Sequence, residues 1–301
     1  MLIRRLLPVA ALTFAACTVQ RLPQSAPAAT DDHSSHAAMA APMGASRQQD
    51  PRIAPGAAEA AARLQASTRH GEWAMVPLQA GGKDSIAAWV VYPERRDNAP
   101  VVVVIHEIFG LSTWVRAVAD QLAADGFIAI APDLLSIERG GATTDTIPTA
   151  TATQLIRNVT PDKMNAMVQA VAQYGMALPS ARKIYGVVGY CWGGSASFNH
   201  AVFNGAGLKA AVVYYGASPA DTLIARVQVP VLGLYGGNDQ RVNSTIPRAD
   251  STMKAIRGTF VNRIYEGAGH GFLRQQADSA NAVAAKQAWP ETVAWFRKYL
   301  K

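Results

Sequence analysis

The sequence predicts an α/β protein built on a mostly parallel, doubly wound sheet with helices on both faces. Three observations carry this. From residue 71 onward, short apolar runs alternate with stretches of helical spacing, the pattern of successive βα units. Residues 101–105, Val-Val-Val-Val-Ile, form an unbroken β-branched run with no polar alternation, as expected of a strand covered on both faces. Residues 189–194, Gly-Tyr-Cys-Trp-Gly-Gly, lie between an apolar run and a helix-compatible stretch, the setting of a tight strand-to-helix turn.

The elements follow in order. Residues 71–79 and 83–92 read as two strands joined at Gly81-Gly82, a hairpin signal. Ala99-Pro100 leads into the strand at 101–105. Residues 113–124 carry helical spacing that Gly126 stops, and 127–131 form a short apolar strand closed by Pro132-Asp133. Residues 136–160, rich in Gly, Thr and Ser, read as an insertion or lid at the carboxyl edge of the sheet. Residues 162–176 are helical, with Thr160 as cap and Pro161 in the first turn. A strand at 184–188, the tight turn and a helix at 195–203 come next. Strands at 208–215, 229–235 and 259–265 then alternate with helices at 219–226 and 247–256. The closing helix, 277–299, is expected to kink or break at Pro290. The chain has no internal repeat.

Residues 1–17 read as an export leader, 18–65 as a tether and 66–301 as the folded domain. Met1-Leu2-Ile3-Arg4-Arg5 is a charged start, and the apolar run 6–16 is too short to span a bilayer. It ends Phe14-Ala15-Ala16-Cys17. Small residues before a cysteine resemble a bacterial lipobox, in which Cys17 is lipidated and anchors the protein to a membrane. Phe14 replaces the usual leucine, so ordinary leader cleavage nearby is the other reading. Either implies export, and a periplasmic location is expected. Residues 18–65, rich in Ala, Pro, Ser, Gln and Met, read as flexible and disordered. His33, His36, Met39 and Met43 fall in this stretch and read as low-complexity sequence rather than as a soft-metal site.

Half the chain is apolar, and the remainder after the tether is long enough for one sizeable core. With two cysteines and one in the leader, Cys191 is a free thiol in an oxidising compartment, which suggests use or shelter. The net charge of +7 is scattered, without the basic run and interleaved aromatics that nucleic acid requires. A mildly basic body favours anionic small substrates or a membrane surface. The chain is expected to act as a monomer on a small molecule, with no metal and no organic cofactor.

Cys191 stands at the nucleophile position of the turn. Glycines on either side let neighbouring backbone pass closely, and the helix that follows points its free N–H groups at the sulfur, which favours thiolate. Cys191, Asp239 and His270 occur in the nucleophile–acid–histidine order of the α/β-hydrolases. His270 would take the thiol proton and later activate water, and Asp239 would hold the imidazole tautomer. The Trp192 N–H and the Ile108 N–H are the expected oxyanion donors.

The set His106-Glu107-Ile108-Phe109-Gly110-Leu111, Pro132-Asp133-Leu134, Gly189 to Gly194, Tyr214-Tyr215-Gly216 and Gly269-His270-Gly271-Phe272 resembles the dienelactone hydrolase family. The likeness runs from residue 70 to the end of the sequence. It implies an α/β-hydrolase fold and hydrolysis of small lactones or esters through a thioacyl intermediate on cysteine, without cofactor. It implies that Glu107 contacts the resting cysteine and is displaced when substrate binds. It also implies that Arg274 binds a substrate carboxylate. The family's second substrate-binding arginine aligns with nothing certain here, and Arg139 and Arg157 are the candidates. A broad carboxylesterase on the same residues, a thiol redox protein using Cys191 and a non-catalytic scaffold are the rival readings.

Each residue also has a plainer reading. Asp239 fits ordinary turn chemistry, Glu107 a solvated loop, and Trp114, Trp192 and Tyr215 either pocket wall or core. His200, nine residues along the helix after the turn, is expected to pack. His70 precedes the first strand, His106 is expected to line the pocket without being the base, and Asp133 to anchor a loop.

Overall fold

The computed structural model describes residues 50–301 apart from 80, 81, 96, 97, 144 and 146. The leader, Cys17 and the four His and Met residues of the tether lie outside the described residues. In chain order the elements are α1 (Ala57–Gln65), β1 (Gly71–Pro77), β2 (Ser85–Val91), β3 (Ala99–Ile105), α2 (Thr113–Ala124), β4 (Ile128–Pro132), α3 (Ser136–Arg139), α4 (Thr149–Ile156), α5 (Pro161–Ala177), β5 (Ala181–Tyr190), α6 (Trp192–Phe203), β6 (Leu208–Tyr214), α7 (Asp221–Ile224), β7 (Val231–Gly236), α8 (Gln240–Asn243), α9 (Ile246–Ala255), β8 (Phe260–Tyr265) and α10 (Ser279–Tyr299).

The eight strands form one sheet in the order β1-β2-β4-β3-β5-β6-β7-β8. The β1–β2 and β2–β4 pairs are antiparallel, and the rest of the sheet is parallel. This is the expected α/β architecture. The β-branched run of β3 explains how its two faces are used. Successive side chains point to opposite faces, so Val101, Val103 and Ile105 enter one core, with α5, α6 and α9. Val102 and Val104 enter the other, with α1, α2 and α10.

That split positions the site. The chain leaves β3 through α2 on one face and pairs back as β4. It leaves β5, the neighbour of β3, through α6 on the opposite face and pairs back as β6. Where two adjacent parallel strands send their connections to opposite faces, a crevice opens at their carboxyl ends. Glu107 and Ile108 follow β3 there, and Cys191 follows β5.

Several expectations need correction. The tether does not extend to residue 65. Residues 57–65 are α1, and Ile53 and Ala54 are buried. The Trp114 indole N–H donates to the Pro55 carbonyl at 2.9 Å, and the Gln276 amide donates to the Ala54 carbonyl at 3.0 Å. The Ala57 N–H donates to the Arg274 carbonyl at 2.8 Å. The segment lacks large aliphatic spacing, but alanine is the best helix former, and small side chains suffice against α2. Trp114 is accordingly a core residue and not pocket wall.

Residues 136–160 do follow the carboxyl end of β4. They fold as α3 and α4, with Ala152 and Ile156 in the core, rather than as an irregular cover. Asp133 holds the start of this segment, accepting from the Thr143 N–H and, at 2.7 Å, from its hydroxyl. The closing helix is not broken by Pro290: α10 is continuous, with the proline on an exposed face where a missing N–H bond costs least. Helix α6 begins at Trp192, three residues before the expected start, so Cys191 is its N-cap residue.

Candidate active site

Strand β5 ends at Tyr190 and α6 starts at Trp192, so the whole reversal is made at Cys191. Its φ of 57° and ψ of −118° lie where side chains other than glycine are strained, at a cost of about 1–3 kcal/mol. Three hydrogen bonds hold it there. The Cys191 N–H donates to the Tyr214 carbonyl at 3.1 Å, and the Cys191 carbonyl accepts from Gly194 at 2.9 Å and Ser195 at 3.1 Å. The glycines are required by contact. A Cβ on Gly189 would lie 1.8 Å from the Gly193 carbonyl oxygen, and one on Gly193 would lie 2.4 Å from the carbonyl oxygens of Ile105 and His106. The elbow therefore packs directly against the end of β3, beside the loop that carries Glu107 and Ile108. The Cys191 residue is only 4% exposed.

Asp239 leaves the end of β7 and caps α8, accepting from the Val242 N–H at 3.4 Å. Its other oxygen lies 2.5 Å from His270 Nδ1. Asp239 thus takes part in the turn and lies against His270 at once. The histidine loop is pinned to the β7 turn: the Asn238 N–H donates to the Ala268 carbonyl at 2.9 Å and its side-chain amide to the Gly267 carbonyl at 2.9 Å. From α10, Asn281 accepts from the Gly269 N–H at 2.9 Å and donates to the Gln275 carbonyl at 3.1 Å. Gln275 in turn donates to the His270 carbonyl at 3.1 Å. Asn281 and Gln275 were not singled out from sequence, since an amide in a helix or loop carries no signal of this role.

Tyr215 joins the two halves. It is fully buried at a φ of 40°, with its ring 5.2 Å from that of His270 at 62°. Burial raises the pKa of its phenol far above the ordinary value, with Glu107 and Cys191 both close enough to add to the effect. Glu107, 1% exposed, lies in an ion pair with Arg274 at 3.3 Å. Its carboxylate has no hydrogen bond among the described residues. Burial raises its pKa, and the Arg274 and His270 charges pull the other way without cancelling it. The Arg274 guanidinium also stacks 5.2 Å from the Phe109 ring. Cys191, Glu107 and His270 therefore lie around one tyrosine, with Asp239 against His270 and Arg274 against Glu107.

His106 is excluded as a base by its bonds. Nδ1 donates to the Glu107 carbonyl at 2.6 Å, and Nε2 accepts the Leu134 N–H at 3.1 Å. Burial lowers its pKa, consistent with this neutral tautomer, and its ring stacks 6.2 Å from that of Trp192. Among the described residues neither the Ile108 nor the Trp192 N–H has a hydrogen-bond acceptor. His200 packs as expected, between Asn165 and Tyr185. His70 is exposed beside Glu72. Arg139 is exposed and donates to the Ala142 carbonyl at 2.6 Å, and Arg157 is exposed, so neither joins the group around Glu107. Among the described residues no group of three or more His, Cys, Asp or Glu is placed to hold a metal, and no helix is long and apolar enough to cross a membrane.

Comparison with known proteins agrees with this fold. The profile of the dienelactone hydrolase family matches residues 86–300. A candidate carboxymethylenebutenolidase of Salmonella typhimurium is 30% identical over 228 residues, covering 72% of this chain and 84% of that protein. A protein of the same description from Methylorubrum extorquens is 30% identical over 236 residues, covering 74% and 79%. The crystal structure of a candidate dienelactone hydrolase from Klebsiella pneumoniae superimposes with a TM-score of 0.68 at 28% identity, over 77% of this chain and all of that one. The chain belongs to the dienelactone hydrolase family, with the α/β-hydrolase fold.

Proposed function

We propose that this protein hydrolyses small lactones or esters, using Cys191 as nucleophile, His270 as base and Asp239 as its orienting acid. The observation that carries the reading is the His270–Asp239 contact at 2.5 Å, placed at the sheet rim that also carries the strained Cys191 elbow. Sγ attacks the carbonyl carbon as its proton passes to His270. The acyl C–O bond then breaks, and His270 returns the proton to the departing oxygen. With a lactone that oxygen stays attached at the far end of the opened ring. Water, deprotonated by His270, attacks the thioester and frees the acid and the thiol. The Ile108 and Trp192 N–H groups, lacking other acceptors, are free to receive the oxyanion. The Arg274 guanidinium suits a carboxylate on the substrate, which would then take the place of Glu107.

Cys191→Ala removes the attacking atom. It should abolish turnover of aryl esters and lactones while leaving thermal unfolding nearly unchanged. Retained turnover would remove the nucleophile, and preference for simple aryl esters over cyclic enol lactones would mark a broad carboxylesterase. We further propose that residues 1–17 direct export and that Cys17 carries the lipid anchor. Intact-mass measurement of detergent-extracted protein tests this: a Cys17 residue without acyl chains, or a chain cleaved elsewhere, overturns it.

A further inference from the structure

At the end of the sheet opposite Cys191, two cavities of about 550 and 160 Å³ share Asp125, Arg297 and Lys301 in their walls. They form one groove past the amino ends of β3, β4 and β5, at Pro100, Phe127 and Arg182. Strand β5 has ten residues, so the groove lies roughly 30 Å from the nucleophile. Nothing in the proposed hydrolysis uses it.

Its chemistry is cationic. Arg52, Arg95, Arg182, Arg297, Lys298 and Lys301 line it, against the Asp125 side chain and the α-carboxylate of Lys301 among the described wall residues. The Asp125 carboxylate accepts the Trp289 indole N–H at 2.9 Å. Two guanidinium groups are fixed by backbone carbonyls, which orient them without neutralising them. Arg182 donates to Asn98 and Leu300, each at 3.2 Å, and Arg297 donates to the Asp125 carbonyl at 3.1 Å. Arg52 is bonded to Asp50, and Lys298 lies over the Tyr299 ring.

We propose that this groove docks the anionic headgroups of a phospholipid surface. Asp50 and Arg52 stand at the groove, so residues 1–49 join the folded domain there, and that segment begins with the charged and apolar leader. The cations are spread over two openings instead of converging on one point, which suits several headgroups rather than a single small anion. Docked in this way, the rim that carries Cys191 faces away from the lipid and toward dissolved substrate.

The full chain tests this with co-sedimentation on vesicles of phosphatidylcholine alone and of phosphatidylcholine with phosphatidylglycerol. The readout is the change in the ratio of the two affinities from wild type to variant, since the leader's Arg4 and Arg5 also favour anionic vesicles but do so equally in both proteins. Wild type should prefer the anionic vesicles at least about tenfold, because each cation near such a surface contributes a factor of about five. Lys298→Glu with Lys301→Glu, both at exposed positions, should cut the ratio at least about tenfold, with ester turnover unchanged. Arg182→Gln with Arg297→Gln should weaken the preference in the same direction. A ratio near one for wild type, or a preference untouched by the double reversal, overturns the proposal. So does saturable binding of inorganic phosphate in calorimetry without any vesicle preference, which would make the groove a site for a soluble anion. Loss of turnover in Cys191→Ala bears on the hydrolase reading alone.

Discussion

Asp239→Asn separates chemistry from folding better than any other single change. The carboxylate serves two partners: one oxygen meets His270 Nδ1 at 2.5 Å, and the other accepts the Val242 N–H at 3.4 Å. Asparagine keeps the shape and caps a helix about as well as aspartate. Toward His270 it offers one of two things. With its NH₂ facing Nδ1, the imidazole must keep its proton on Nε2 and cannot take one from the thiol. With its oxygen facing Nδ1, the tautomer survives but the charge that stabilises imidazolium is gone. The first case sets the scale: a wrong tautomer costs about 10⁴ in kcat. At 1.36 kcal/mol per tenfold, that is a barrier higher by about 5 kcal/mol. Stability should change by less than about 1 kcal/mol in the first case, where the oxygen still caps Val242, and should fall by about 0.5–2 kcal/mol in the second, where the NH₂ faces the Val242 N–H. Steady-state hydrolysis of an aryl ester and a lactone gives kcat and KM, and thermal unfolding gives Tm. A kcat within threefold of wild type at unchanged Tm would refute the role of Asp239. A collapsed Tm would mean that the carboxylate serves the turn first.

Two further outcomes follow from the same geometry. Arg274→Ala should raise KM for carboxylate-bearing substrates about tenfold or more while leaving neutral esters little affected, and equal effects on both would end the carboxylate clamp. Unfolding free energy should fall on acidification through His200, whose buried ring has its pKa lowered to about 4 by burial. The folded protein holds His200 neutral while the unfolded chain binds a proton below about pH 6.5, so this contribution is complete above pH 6.5 and is lost as pH falls toward 4. Between pH 7 and 4.5 the loss amounts to about 2 kcal/mol at 1.36 kcal/mol per unit, and denaturant titrations of wild type and His200→Gln at those two pH values would measure it. A wild-type loss no greater than that of the variant would show that His200 is not the titrating group.

The sheet was legible because its strands are written in β-branched and apolar residues. The run 101–105 needed only the period of a strand to divide between two cores. The tight turn at Cys191 was legible because closely spaced glycines after such a strand mark a place where backbones approach. What escaped was written in weaker letters. Strand β5 extends back to Ala181 through Arg182 and Lys183, whose charges look like a loop but lie at its solvent end. Helix α4 hid in a Thr-Ala run because β-branched threonine reads as strand or turn until Ala152 and Ile156 find the core. The amides that support the histidine loop, Asn281 and Gln275, act through single hydrogen bonds with no periodicity to betray them. The pairing of Glu107 with Arg274 joins residues far apart in sequence, which only the topology brings together.

The stretch from Ile53 to Ala57 has a practical corollary. A recombinant version trimmed to the residues that the family profile matches, 86–300, would discard it together with β1. The Trp114 indole and the Gln276 amide would each lose an acceptor, and the backbone at Arg274 would lose a tether point. The scaffolding behind His270 thus reaches upstream of the span that the family profile matches, and the smallest piece worth expressing begins before Ile53.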